Sequence, residues 1–475
     1  MSRLRSHLNR KLVAVLFVLA LGGSLLGYAA SSTTSSSQTR SDLGTADQQT
    51  QVRTSRETSL LPIRSTCPVV PDKELFITNV SVVDDCLRTT WGPCITPPGP
   101  LPATQGAWTF AANMAAVAGT NAPAALSAYT TNWLNQWNVN LIINGDPVPS
   151  RTAVQTEIID PWRTASGGTK VLDMTKAPFR LLAIVARLDL RGQSGYVPGA
   201  TTAGEGRFIY NLLDQFGNPT QYLVIFEYGL DAEDCVAILN WARAWHSLGS
   251  LSFGPSYNAA LQQITDRFAT IGASPRKPNR SAINQVRTND FHLDRPWELR
   301  ESQLDPRSLA APVPLLNVTV AQTPARSLQQ TAAISTFVNS NTPAILSHTH
   351  VVPLSWAGNP FRGGASPHSL DLGWDGPPPS CTSITDPEAR HAFSLDTCSG
   401  CHGEETATFF KHVEPRNAGV PSALSAFLTG SGPVVDRCGR SHTFSDIDRR
   451  RVDLCQLLER TCREIDEEPV ITFVH

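Results

Sequence analysis

Residues 222–228 read YLVIFEY, a continuous β-prone run with the pattern of a buried strand. Working outward, Phe179–Leu190 (FRLLAIVARLDL), Arg207–Leu213, Trp297–Leu304 and Pro314–Val320 read as further strands. Helical apolar spacing marks Ala107–Ala118 and Pro123–Gln136. In the second, Leu126, Tyr129, Trp133 and Trp137 recur at three and four residues and share one face. Thr152–Trp162, Asp231–Ser247, Asn258–Ile271 and Leu328–Ser340 also read as helices. Acidic residues in the first turn of Asp231–Ser247 suit the helix dipole. Ile345–Trp356 reads as extended. Strands and helices interleave without a regular βαβ beat, so the body is expected to be α+β.

The chain has 475 residues, 41% of them hydrophobic, which is ample for a buried core and two or three domains. A formal net charge of -2 argues against nucleic acid or an anionic membrane surface as the main partner. Arg3, Arg5, Arg10 and Lys11 precede an apolar run at Leu12–Leu26 and the small residues Gly27, Ala29 and Ala30. This is the order of a secretory signal, assigned to 1–30; an uncleaved anchor is the alternative, disfavoured because the run falls short of ~20 residues. Residues 31–64, rich in Ser, Thr and Gln, read as a disordered tether. Residues 65–375 are the α+β body, and 376–475 a separate C-terminal unit behind a Pro/Gly/Ser-rich linker at Ser366–Ser380. The expected location is the periplasm or the exterior, with no membrane span after cleavage.

Export places the ten cysteines (67, 86, 94, 235, 381, 398, 401, 438, 455 and 462) where thiols pair. Six of the ten lie in the last 95 residues, the density of a stapled unit. Connectivity stays open at this point.

Cys398-Ser399-Gly400-Cys401-His402 is C-x-x-C-H, the attachment signature of c-type haem. Each thiol adds across one vinyl group, and the two-residue gap lets both reach the porphyrin edge. The adjacent His402 then offers its imidazole to the iron. With 10 Cys and 11 His in 475 residues, the pattern arises by chance in roughly 0.5% of such chains. One covalent haem c per chain is expected, held by Cys398, Cys401 and His402. The competing readings are a disulfide with His402 incidental, and a zinc site of Cys398, Cys401, His402 and Cys438.

A helix at Asp386–Leu395, capped by Asp386 with Pro387 in its first position, leads into the motif. A second helix at Ser445–Arg463 carries Ile447, Val452, Cys455, Leu458 and Cys462 near one face. Together they resemble the first and closing helices of a small class I cytochrome c. That resemblance implies a small all-α haem domain at 376–475 and electron transfer with a redox partner protein or a small-molecule donor or acceptor. The run FSLDTCSGCHGEETATFFKHVEPR with LSAFLTG also resembles the tail of a group of uncharacterised exported bacterial proteins, which implies no activity.

The cytochrome pattern commonly has a Met as second iron ligand, whereas the Met residues here are 1, 114 and 174, all before the motif. His442, 40 residues past His402, is therefore expected as the second ligand, followed by His412, with His391 and His475 as further candidates. A vacant sixth position would instead permit peroxidase-like chemistry. Glu404 and Glu405 are expected to cap a helix or face solvent. His348 and His350 share a strand face and read as structural. No G-x-S-x-G, H-E-x-x-H, phosphate loop or dinucleotide fingerprint occurs, so hydrolase and nucleotide-dependent activity lack support. The expected function is an exported monohaem electron carrier; the alternative is a haem-free, disulfide-stapled binding or structural protein.

Overall fold

The β-prone runs pair as neighbours. In a computed structural model, which describes residues 68–90, 106–193, 201–368 and 373–466, nine strands form one sheet. They are β1 (Phe76–Ile77), β2 (Phe179–Arg187), β3 (Gly192–Gln193), β4 (Thr201–Leu213), β5 (Pro219–Asp231), β6 (Ile283–Asp290), β7 (Trp297–Leu304), β8 (Leu315–Val318) and β9 (Ser366–His368). The main path is β1-β2-β4-β5-β6-β7-β8, with β3 on β4 and β9 on β7, and every pairing is antiparallel. The expected signal segment 1–30 and tether 31–64, with Cys67, Cys94 and His475, lie outside the described residues. None of the helices among the described residues is long and apolar enough to cross a membrane.

The strands alternate, and each face has its own cover. On β5, Tyr222, Val224, Phe226 and Tyr228 join the main core with helices α1 (Phe110–Ala118), α2 (Pro123–Leu134), α3 (Cys235–Ser247) and α4 (Pro255–Thr265). Leu126, Tyr129, Trp133 and Trp137 are all buried there, as their spacing leads one to expect. Buried phenols find partners: Tyr210 donates to the Trp108 carbonyl (2.8 Å), and Tyr228 to Asn113 Oδ1 (2.9 Å). The intervening residues Leu223, Ile225 and Glu227 face the other side. Helix α5 (Ala332–Leu346) runs into the segment expected to be extended, of which only Ser355–Trp356 is strand.

The second face corrects the expected fold class. The C-terminal stretch is not a small all-α haem domain; it is the cover of the sheet. Cys401, Val413, Phe427 and Leu428 pack on Leu182, Val185, Ile209 and Leu223, while Cys398 and Phe410 pack on Trp297 and Leu299. The stretch contains α6 (Pro387–Leu395), the turn α7 (Cys398–Cys401), a hairpin of Val434–Val435 with Ser441–His442, and α8 (Asp446–Glu459). Helix α8 reaches past the sheet edge, so that Leu454, Cys455 and Leu457 enter the main core. The reason is general: a sheet apolar on both faces needs a layer on each. The segments 106–368 and 373–466 accordingly belong to one compact unit.

Disulfides tie this arrangement. Cys235 on α3 is bonded to Cys462 just beyond α8, and Cys381 to Cys438. Arg416 adds a polar tie, donating to Asp84 Oδ1 (2.6 Å) and the Leu181 carbonyl (2.8 Å).

Candidate functional site

Helix α6 aims the chain at the second sheet face. Asp386 accepts from the backbone N–H of Glu388 (2.9 Å) and Ala389 (3.2 Å), with Pro387 in the first position. Thr397 then caps the turn α7 by accepting from Gly400 N–H (3.0 Å). A Cβ on Gly400 would stand 1.9 Å from the Ser394 carbonyl oxygen, and one on Gly403 2.2 Å from His368 Nε2. Both glycines of CSGCHG are therefore needed for the turn to seat against α6 and β9. Asp396, fully buried, braces the same turn: His348 Nδ1 lies 2.9 Å and His350 Nδ1 3.7 Å from its carboxylate. The SHTH pair lies in a turn, not on the strand face expected of it, and both rings turn toward Asp396.

Cys398 and Cys401 are buried and are the free cysteines among the described residues. Cys86, Cys235, Cys381, Cys438, Cys455 and Cys462 are all disulfide-bonded. Burial pushes both free thiols up, Cys401 the further, so each keeps its proton at neutral pH. Such thiols are poor redox nucleophiles.

His402 Nδ1 lies 2.9 Å from the Phe410 carbonyl oxygen. A carbonyl only accepts, so the proton sits on Nδ1 and Nε2 keeps its lone pair. Burial pushes the pKa of this ring down to about 4, against the Phe410 hydrogen bond, and the imidazole is neutral at pH 7. Asn289 of β6 donates to the same carbonyl (2.8 Å) and accepts from Trp297 Nε1 (2.7 Å). Trp297 in turn stacks on the His402 ring, with centroids 5.3 Å apart at 27°. The sheet thereby fixes both the tautomer and the plane of His402.

Cys398, Cys401, His402 and His412 line one cavity of ≈ 80 Å³ between the turn and the sheet. Phe76, Val185, Ile209, Leu223, Ile225 and Leu299 give it an apolar sheet wall; Val413, Phe427 and Leu428 close the other side. Its apolar lining is that of small-molecule and cofactor sites, but its volume is several times smaller than theirs. The polar part of the wall is a buried charge ladder across β4–β7. Arg207 Nη2 lies 2.7 Å from Glu205 and Nη1 3.4 Å from Glu227; Arg287 lies 3.4 Å from Glu227 and 3.2 Å from Glu301. Burial raises Glu227, while Arg207 and Arg287 oppose that. Arg187 and Arg450 add two more guanidinium groups to the lining.

The expected second ligand, His442, stands elsewhere and is not among the residues lining this cavity. Its Nε2 lies 3.2 Å from Asp436 Oδ2, and its ring stacks on His391 at 3.5 Å and 1°. His391 Nδ1 is 2.6 Å from Glu405 Oε2. Ligand-type atoms of His391, Asp436 and His442 lie within 4.8 Å of one another, a spacing able to hold a cation. Buried Arg390 already neutralises this group, reaching Glu405 at 2.6 Å and Asp436 at 2.9 Å. Glu405, expected to cap a helix or face solvent, is thus fully buried in an ion pair. Met114 and Met174 are buried in the core on the opposite sheet face. Sequence reasoning missed Arg207, Glu227, Arg287, Asn289 and Trp297; the available signal was the polar alternation of INQVRTND at 283–290. Comparison of the chain with protein-family models, with curated proteins and with solved structures found no match.

Proposed function

We propose that this chain is an exported protein that carries one covalent haem c at Cys398 and Cys401 and serves in electron transfer. The observation that carries the reading is chemical. Two free thiols at C-x-x-C spacing line an apolar cavity beside a neutral histidine whose Nδ1 proton is committed to a carbonyl. That donor set has the chemistry of haem attachment, and seating a porphyrin in a space of ≈ 80 Å³ would require the cover to part from the sheet. Cys398 and Cys401 would hold the group through two thioethers, each S–H adding across one vinyl C=C with no oxidant required. His402 Nε2 is the lone pair left for iron. Arg187, Arg207, Arg287 and Arg450 line the same cavity, each already paired with a carboxylate of the chain. The bound group would contribute reversible one-electron exchange, and the chain contributes ligation, exclusion of water and local charge. The disulfides support an oxidising compartment, where such attachment occurs.

The test is a pyridine haemochrome spectrum and an intact mass of protein made in a host competent for c-type maturation. A thioether-haem band and a gain of about 616 Da are expected. Folded protein that lacks both, with Cys398 and Cys401 oxidised to a bridge, sinks the reading and leaves a disulfide-stapled binding or structural protein.

A further inference from the structure

We propose that His391, Asp436, His442 and Glu405 form a structural site for one divalent transition-metal ion, Zn2+ being the ion that the donor set suits. The site stands apart from the haem reading, because none of these residues lines the cavity at Cys398 and Cys401. The donors come from three separate parts of the chain. His391 lies on α6, Glu405 on the turn Glu404–Thr406, and Asp436 and His442 on the hairpin that begins at Val434. Ligand-type atoms of His391, Asp436 and His442 all lie within 4.8 Å of one another. Asp436 Oδ2 is 3.2 Å from His442 Nε2 and 3.9 Å from His391 Nδ1, and Glu405 Oε2 is 2.6 Å from that same Nδ1. Two donors bound at about 2.1 Å to one tetrahedral ion stand about 3.4 Å apart, so the Asp436 spacings are near what one ion requires. Imidazoles beside carboxylates suit zinc and not Ca2+ or Mg2+, which take oxygen donors.

Asp436 is aimed by its own hairpin. Its Oδ1 accepts from the backbone N–H of Cys438 and of Arg440, both at 2.9 Å, which leaves Oδ2 for the imidazoles. The Cys381–Cys438 disulfide anchors the same turn. Arg390 reaches both carboxylates, but one guanidinium offsets only one of their two charges. Counting the imidazoles as neutral, the buried set keeps one negative charge in excess, which is costly away from water and favours a cation between the donors. A hollow at the surface, lined by Glu404, Val434, Asp436 and Arg437, gives an ion its way in.

One movement is required. The rings of His391 and His442 stack in parallel at 3.5 Å, so their in-plane lone pairs meet at one point only when a ring tilts. His442 is placed to do so: it stands on a two-residue strand, and its side chain is 14% exposed against 8% for His391. In the bound state the ion takes the place of the protons that these nitrogens share with the carboxylates. All four donors are then protein atoms, as in structural and not catalytic zinc sites. The ion would tie the hairpin to α6, the helix that leads into Cys398.

The test uses the whole exported chain, stripped with a chelator and dialysed. Calorimetry follows Zn2+ binding, thermal melts follow stability, and zinc X-ray absorption reads the coordination shell. One Zn2+ per chain is expected, with a raised Tm and a shell of nitrogen and oxygen at about 2.0–2.1 Å. His442→Ala should weaken binding by about tenfold or more and abolish the rise in Tm. His292→Ala, at a histidine beside Glu157 and far from this set in the chain, should do neither. Should His442→Ala fail to accumulate, the wild-type stoichiometry and shell decide. No binding at micromolar Zn2+, an unchanged affinity in His442→Ala, or loss of binding in His292→Ala would overturn the site. So would a shell containing sulfur at about 2.3 Å, which would put the ion on Cys398 and Cys401. Stoichiometry and shell are read without reference to haem, so failure here leaves the haem reading where it stands.

Discussion

Individual side chains carry the chemistry, and the sequence displayed some of them better than others. Cys398, Cys401 and His402 stood out by their spacing, and the structure brings all three to one cavity. His412, a second choice on spacing, is the candidate that reaches that cavity in place of His442, because distance along the chain says nothing about which histidine a fold turns inward. The double variant Cys398→Ser/Cys401→Ser should remain folded and lose the covalent haem mass, as read by intact-mass analysis; retention of that mass would place attachment elsewhere. A second residue-scale prediction concerns Asp189. It accepts from Arg187 (2.9 and 3.0 Å) and from Arg449 of α8 (2.8 Å). Burial pushes its pKa up, but the guanidinium groups of Arg187, Arg449 and Arg450 outweigh that and hold it well below the usual range. Its contribution is therefore full above about pH 4, the unfolded value, and is lost as pH falls through the folded one. Asp189→Asn should cost about 3–5 kcal/mol at neutral pH, since it leaves buried arginine charge unpaired. Urea melts from pH 7 to pH 2 should show the gap between wild type and variant closing at the acid end.

At the scale of elements, strands and helices with one apolar face announced themselves, and those with mixed faces did not. β5 was found as a continuous β-prone run, β2, β4, β7 and β8 as strand candidates, and α6 by its Asp-Pro start. β6 escaped because Gln285, Arg287 and Asn289 give its cavity face a polar pattern, which reads as loop when the partner strands are unknown. The cap of α6 is a clean target. Asp386→Ala removes two acceptor contacts and should lower stability by about 1 kcal/mol, measurable as a reduced urea midpoint with unchanged slope. Gly400→Ala should be far worse, because its Cβ would meet backbone rather than a movable side chain. Thioether haem and soluble yield should fall together in that variant, and a normal yield of haem-loaded protein would show that the close approach is tolerated.

For the molecule as a whole, the division into body and haem domain follows composition but not packing. The Pro/Gly/Ser-rich stretch before Cys381 looks like a boundary, yet the chain beyond it supplies the second layer of the sheet. A protein ending at residue 375 would bare Leu182, Val185, Ile209 and Leu223. We expect it to aggregate or to bind ANS strongly, whereas a monomeric, cooperatively melting 65–375 fragment would restore the two-domain view. The Cys235–Cys462 link, with a sequence separation of 227, constrains the unfolded chain strongly, and Cys235→Ala/Cys462→Ala should cost about 2–5 kcal/mol in reversible unfolding.

That same link also imposes a chronology on biogenesis. The turn bearing Cys398 and Cys401 is buried once the cover has docked on the sheet, so an assembly factor can reach those sulfurs only before docking. Any covalent chemistry at those sulfurs must therefore come first, while the late part of the nascent polypeptide is still open, and the bond from Cys235 to Cys462 then holds the cover closed. A cell that oxidises the pair too early would shut those sulfurs away unmodified.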